Sequence, residues 1–350
     1  MEFNLNQQAT EERLREFADK INELSDQIGF KVSARGWCYQ LETERLINKD
    51  EFDKVESWIN KCRKKGILPI DFTAEEEGRK FSGVEEPNEQ SPIQEMKEWI
   101  QASMESEIYY TPDWWEGEDY YIQMLVEKID LKTLFTPVCE KYHIPIATSK
   151  GWSSMLQRAV YARRFKEAED KGLQPVLLYC GDHDPDGLRI SEFIKKNLTD
   201  LKDIEWEDGE DGYDPDGLKI VRFGLESDFI EKHKITWINN LITGSGKNLA
   251  SDSHKNNKMP YVQEYIKTFG IRKCEANAIV PMPKIARELV ESSIIDFIGF
   301  DALDRFETKR LKIKEELNKF RDKTGLTKSL QKAIDLINKE QQEVGDSSQD

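Results

Sequence analysis

Apolar residues at Leu14, Phe17, Ile21, Leu24 and Ile28 recur at the spacing of one helix face, behind a threonine at position 10 suited to an N-cap. The pattern predicts a helix over 10–28. In "VSARGWCYQLE", Ser33 is placed to cap a second helix whose inner side carries Trp37 and Leu41. A third helix is expected from about 50 to 65, with Phe52, Val55, Trp58, Ile59 and Cys62 in phase and Gly66 as its stop. "ILPIDF", 67–72, then fits a short strand. Three helices and a strand in this order suggest a winged helix-turn-helix. The next stretch is acidic and turn-rich, apart from a helix near 91–106.

From 120 onward the texture changes. Apolar runs at 120–127, 144–150 and 175–181 alternate with helical patterns at 130–143, 153–172 and 187–198. Such alternation implies a parallel sheet covered by helices. Further strands are expected near 218–225 and 274–280, and helices near 226–241, 260–269 and 284–298. The chain is helical and strongly charged from 301, and the tail "EQQEVGDSSQD" is expected to be disordered. The expected organisation is therefore α/β. Residues 1–80 form the helix-turn-helix domain, 81–118 a linker, 119–300 the sheet domain and 301–350 a charged helical tail.

Composition narrows the function classes. No apolar run reaches the ~18 residues of a membrane helix, and the N-terminus carries no secretory pattern. The five cysteines lack CxxC spacing, which fits reduced thiols in a cytoplasmic protein. A formal net charge of −16 argues against unspecific nucleic-acid binding, unless the charge is segregated.

The strongest chemical signal is "VLLYCGDHDPDGLRI", 176–190, where an apolar strand ends in a run of aspartates. In open parallel sheets chemistry lies beyond the carboxyl ends of the strands, which puts Glu127 and the aspartates on one edge. Asp182 and Asp184, two apart, face the same way in an extended chain. With Glu127 they supply three hard oxygen donors of the kind that hold Mg²⁺, with Mn²⁺ as a substitute. Gly181 and Gly187 leave room for tight turns. Solvated loop charge is the bland alternative. A phosphatase Asp-x-Asp motif would want Thr or Val at 186, where Asp186 stands. A calcium loop fits Pro185 and Leu188 poorly. The echo "DPDGLKI", 214–220, follows a polar loop and reads as a turn entering a strand. "GSGK", 244–247, lacks the spacing of a phosphate loop.

A glutamate after one strand and Asp-x-Asp after a later one resemble the Toprim pattern. In order and spacing, "VEKIDLKTLF", "TSKGWSS", "GDHDPDGLRI", "RFGLESDFI", "YIKTFG" and "CEANAIVPMPKIARELVESSI" resemble the topoisomerase VI A subunit and the related meiotic double-strand-break family. That family commonly has an aspartate where Asn277 stands.

The resemblance implies an Mg²⁺-dependent DNA-cleaving enzyme, with Glu127, Asp182 and Asp184 as metal ligands. It also implies a catalytic tyrosine four residues after an arginine, which "RGWCYQL" offers as Arg35 and Tyr39. A phenol with an ordinary pKa near 10 is a weak nucleophile, and a guanidinium at i, i+4 favours the phenolate and holds the attacked phosphate. Tyr39 would then become linked to a DNA 5′ end. Lys61, Arg63 and Lys64, at the end of the third helix, would contact the backbone of double-stranded DNA. The bland alternatives are core packing for Tyr39 and a solvated helix end for the three cations. In the family the metal site that meets the tyrosine is typically a second protomer's, so a homodimer is implied. Strand passage needs ATP, and with no ATPase motif in the chain a separate B-like ATPase subunit would be the further partner. Two other functions remain open: a Toprim nuclease in which water attacks, and a non-catalytic DNA-binding scaffold.

Overall fold

The computed structural model describes residues 3, 5, 8–74, 90–149, 155–206, 209, 212–243, 246 and 248–346. "GSGK" apart from Gly246, and much of "TSKGWSS", therefore lie outside the described residues. The chain divides into two compact units. One takes in the described residues of 1–76 and 117–299, the other those of 77–116 and 300–350.

The first unit begins with three helices, α1 (Glu11–Ile28), α2 (Ala34–Thr43) and α3 (Phe52–Lys64). The apolar face of α1 is buried as its periodicity requires, and Phe17 meets Trp58 of α3 edge-on at 5.5 Å. Thr10 has cap geometry but its side chain makes no capping bond. Ser33 does cap α2: its Oγ accepts from Gly36 N at 3.0 Å. The strand expected at 67–72 is absent; the segment is turn and bend. Pro69 has no N–H to give a ladder, and Ile70 O accepts instead from Arg63 Nε at 2.7 Å.

The rest of this unit is an α/β body, and its sheet is parallel as the alternation implied. β1 (Tyr120–Val126), β2 (Ile146–Thr148), β3 (Gln174–Cys180) and β4 (Lys219–Arg222) lie in the order β2-β1-β3-β4. α5 (Ile129–Lys141) links β1 to β2, α6 (Met155–Asp170) links β2 to β3, and α7 (Ile190–Thr199) lies between β3 and β4. The first crossover runs one way along the sheet and the next two run the other way. Right-handed connections therefore put α5 on one face and α6 and α7 on the opposite one. α10 (Pro283–Ile298) packs beside α5. β1 and β3 are buried along nearly their whole length, as a strand covered on both faces must be.

Two sequence expectations need correction. The helix expected over 226–241 is only α8 (Ser227–His233), because Lys234 turns left-handed at φ 55°. The chain then runs extended, and Ile238 bridges Lys273. The strand expected at 274–280 is one bridge from Cys274 to His183, followed by a 3₁₀ turn over Ala276–Ile279. α9 (Pro260–Phe269) matches its expected range. "DPDGLKI" is a capped turn into β4, in which Asp214 accepts from Asp216 N.

In the second unit, segments read as a linker and a tail pack together. α4 (Pro92–Met104) lies against α12 (Leu326–Asp346), and α11 (Ala302–Thr324) joins α12 through left-handed Gly325. The cause is specific pairing that hydropathy does not reveal. Arg321 is buried and donates at 2.7 Å to both Glu107 and Ser106 Oγ, while Trp114 meets Phe306 at 4.7 Å. Among the described residues no helix is long and apolar enough to cross a membrane, and all five cysteines are buried and free.

Gly36, in the first turn of α2, is required by close approach. A Cβ on Gly36 would lie 2.7 Å from the buried Asp130 Oδ2, inside contact distance. Gly36→Ala is expected to lower stability by about 1–3 kcal/mol, seen as a lower urea midpoint in tryptophan fluorescence.

Candidate active site

Val126 of β1 sits opposite Cys180 of β3, so both strands end at the same level. Glu127 follows directly, Asp182 comes one residue after Gly181, and the two meet there. Glu127 Oε2 accepts from Asp182 N at 2.8 Å, and Glu127 N donates to Cys180 O at 3.0 Å. Glu127 and the Asp182 pair thus lie at one sheet edge. Gly181 and Gly187 serve close approach rather than left-handed turning. A Cβ on Gly187 would lie 2.2 Å from Asp182 O, and one on Gly181 would meet the Tyr179 hydroxyl at 2.5 Å. His183 anchors the loop. Its backbone pairs with Cys274, and its buried ring bonds Leu225 O and packs among Trp237, Tyr265 and Phe269.

The charges are crowded. Burial first, and then the Glu127 carboxylate, push Asp182 up to about 7. Two partners oppose that shift. Lys128 Nζ contacts Glu127 Oε1 and lies 3.5 Å from Asp182 Oδ2, and Ala276 N donates to Asp182 Oδ1 at 2.7 Å. Burial also raises Asp184, whose Oδ1 accepts from Gly187 N at 2.6 Å. Asp184 is near enough for Glu127 to act on it, but it does not line the cleft described next.

The edge opens into a cleft of about 440 Å³. Its wall includes Glu127, Lys128 and Asp182 from the sheet, Arg35 and Tyr39 from α2, and Lys49, Lys273 and Glu275. Sequence reasoning named Arg35, Tyr39, Glu127 and Asp182, and the fold brings these four together. It missed Lys128, Lys49, Lys273 and Glu275. Lys128 had a usable signal, since it directly follows the named glutamate. Glu275 had none, because only folding brings it to Tyr39.

Glu275 is the hub of the outer wall. It accepts from Lys49 Nζ at 3.0 Å, pairs with Lys273 Nζ at 3.1 Å, and shares the cleft wall with Tyr39, whose hydroxyl acts on its charge. Burial alone would raise its pKa. The Tyr39 hydroxyl and the two ammonium groups outweigh burial and hold it at about 2. Tyr39 is half-buried, edge-on to Phe52 at 5.1 Å, so it is neither simple core nor free surface. Burial, and then Glu275, push its phenol well above the ordinary range, and Arg35 pulls the other way without prevailing. Arg35 shares its charge with Glu56 at 3.1 Å and Asp53 at 3.6 Å. The guanidinium is beside the tyrosine as the spacing implied, yet in this arrangement the phenol stays neutral.

Lys61, Arg63 and Lys64 do not line the cleft. Lys61 and Lys64 are exposed on the last turn of α3, and Arg63 is tied to Ile70 O.

Among the described residues no three acidic, His or Cys side chains are gathered as a ready metal cage. The donor set nevertheless fits a hard divalent ion. Two half-buried carboxylates lie close together at the strand ends, and a cation, Lys128 Nζ, already lies against both.

The Glu275 hub carries a pH dependence. Its folded pKa, about 2, lies below the ordinary 4.5, so its contribution to stability is complete above pH 4.5 and is lost as pH falls toward 2. The full term is about 3 kcal/mol. In urea unfolding at pH 7 and pH 3, the wild type should lose more stability than Glu275→Gln. Equal losses would remove the hub from the account.

Comparison of the chain with protein-family models, with curated proteins and with solved structures finds no match in any of the three.

Proposed function

We propose that the protein is an Mg²⁺-dependent DNA-cleaving enzyme of the topoisomerase VI A type, with Tyr39 as nucleophile. On this reading α1–α3 serve as the winged-helix-type domain and the β1–β4 body as a Toprim domain. One observation carries it: Glu127 and Asp182, from the ends of two adjacent parallel strands, share a cleft with Arg35 and Tyr39.

Glu127 and Asp182, with Asp184 behind them, would hold the ion, and Mn²⁺ would serve in place of Mg²⁺. When bound, the ion polarises a phosphate oxygen of the DNA backbone. The remaining tasks fall to the chain. Arg35 exchanges Glu56 and Asp53 for the scissile phosphate. The Tyr39 proton passes to water, since Glu275, held at about 2, is too weak a base to take it. The phenolic oxygen then attacks phosphorus, and the bond to the 3′ oxygen breaks. The products are a 5′-phosphotyrosyl link and a 3′ hydroxyl, whose proton Lys128 is placed to supply. Because the resting phenol is neutral, its proton leaves only once DNA has drawn Arg35 away from its acidic partners. Lys61, Arg63 and Lys64 supply salt-dependent backbone contacts outside the cleft. The double-strand break needs two offset nicks, hence a homodimer. An ATPase subunit enters only if strands are passed.

A second reading has water as the nucleophile. It is favoured by the same neutral state of Tyr39, which burial and then the Glu275 charge maintain.

Plasmid cleavage with Mg²⁺ or Mn²⁺ tests both. Tyr39→Phe and Asp182→Ala should each lower the rate by at least about 10³-fold, and denaturing gels of wild-type product should carry protein on 5′ ends. Free 5′ phosphates with an active Tyr39→Phe would select water. Full activity of Asp182→Ala would remove the enzyme reading.

A further inference from the structure

The two carboxylates at the strand ends are bonded alike. In each, one oxygen is held by a backbone amide and the other faces the same ammonium. Glu127 Oε2 accepts from Asp182 N at 2.8 Å, and its Oε1 contacts Lys128 Nζ. Asp182 Oδ1 accepts from Ala276 N at 2.7 Å, and its Oδ2 lies 3.5 Å from Lys128 Nζ. The oxygens left for an ion shared by both acids are therefore the two that Lys128 already engages.

Local structure gives this lysine no other task. It is the N-cap of α5, with an extended backbone, and its side chain makes no capping bond. A cation at that end also opposes the helix dipole, which favours negative charge there. The two acids are what hold the ammonium in place. Its side chain is 34% exposed and lines the cleft, so the flexible stem has room to carry the charge off the acids. With a divalent ion on the same oxygens the ammonium is repelled from them. It then remains in the cleft, where the anion brought to a DNA-cleaving site is a backbone phosphate.

We propose that Lys128 is the resident counter-ion of the strand-end carboxylates, which yields its place to the divalent ion and moves to a DNA phosphate, so that ion and DNA each tighten the other's binding. The inference rests on the reading of Glu127 and Asp182 as ion ligands, and it is independent of which protomer's tyrosine attacks. Without DNA, Lys128 keeps the acids compensated and the ion weakly held. With DNA, the phosphate takes over the ammonium and the oxygens are released. Such coupling is reciprocal by linkage, and it confines ion loading to protein that has already found its substrate.

Titration with Mn²⁺, followed by electron paramagnetic resonance at pH 8, tests the displacement above the value of about 7 to which Asp182 is raised. Lys128→Gln should bind Mn²⁺ about 10-fold more tightly than the wild type. Lys128→Arg, which keeps the charge, should bind it no more tightly than the wild type. Mn²⁺ should also raise the melting temperature of Lys128→Gln by more than that of the wild type. Equal or weaker Mn²⁺ binding by Lys128→Gln would overturn the proposal. So would a Lys128→Gln protein that stays unfolded with Mn²⁺ present, because the ammonium would then support the fold in a way that no ion replaces.

A short DNA duplex tests the coupling, with Tyr39→Phe in every protein to prevent cleavage and with Asp182→Ala protein on the same duplex as background. The duplex should tighten Mn²⁺ binding about 10-fold where Lys128 is present and leave it nearly unchanged in Lys128→Gln. Equal tightening in both would overturn the transfer of the ammonium to phosphate. Absence of bound Mn²⁺ from both the Lys128 protein and Lys128→Gln, with and without the duplex, is the distinct failure of the ion-site reading, and the proposal falls with it.

Discussion

The register of β1 against β3 is the constraint on which the site depends. With Val126 opposite Cys180 in a parallel pair, the next residues of both strands emerge at one level and on one edge. Glu127 can then accept from the Asp182 backbone amide, and two carboxylates become neighbours although 55 positions separate them in sequence. A slip of one residue would turn one of them to the opposite face of the sheet. Close packing on both faces of the two strands opposes such a slip, since it would set each core side chain against the wrong neighbours.

That proximity has an electrostatic cost, and the surroundings are arranged around it. Asp182 is pushed to about 7, chiefly by burial and then by Glu127, while Lys128 lies against both acids. The cleft as a whole does not share the character of the chain. Arg35, Lys49, Lys128 and Lys273 line it together with Glu127, Asp182 and Glu275, so four cations meet three carboxylates in a protein of net charge −16. Segregation of this kind makes an acidic chain compatible with a polyanionic substrate, because attraction is local and repulsion elsewhere limits unspecific contact.

Much of this was legible from residue order. The helix faces of α1 and α3, the Ser33 cap and the parallel sheet all follow from periodicity and capping chemistry, and Asp-x-Asp after an apolar strand pointed to the edge. What escaped were features that depend on distant partners. "ILPIDF" has strand composition, but Pro69 has no N–H and Arg63 takes the Ile70 carbonyl. "CEANAIV" also looks like a strand, yet Ala276 N is committed to Asp182 and Asn277 to Asp130, which bends it into a turn. Residues 92–104 and 302–346 look like spacer and tail because their apolar content is thin, and Arg321 pairing with Glu107 across more than two hundred positions leaves no local trace. The Tyr39 environment was only half readable. The i, i+4 arginine is visible in sequence, but the burial and the Glu275 carboxylate that keep the phenol neutral are not.

The central claim is that the carboxylates of the β1 and β3 ends hold one divalent cation. Electron paramagnetic resonance titration with Mn²⁺ tests it without requiring turnover. The account predicts a bound-Mn²⁺ population in the wild type that disappears in Glu127→Gln and in Asp182→Ala, both still folded by circular dichroism. Mn²⁺ bound equally by the wild type and both variants, or not bound by the wild type, would contradict it.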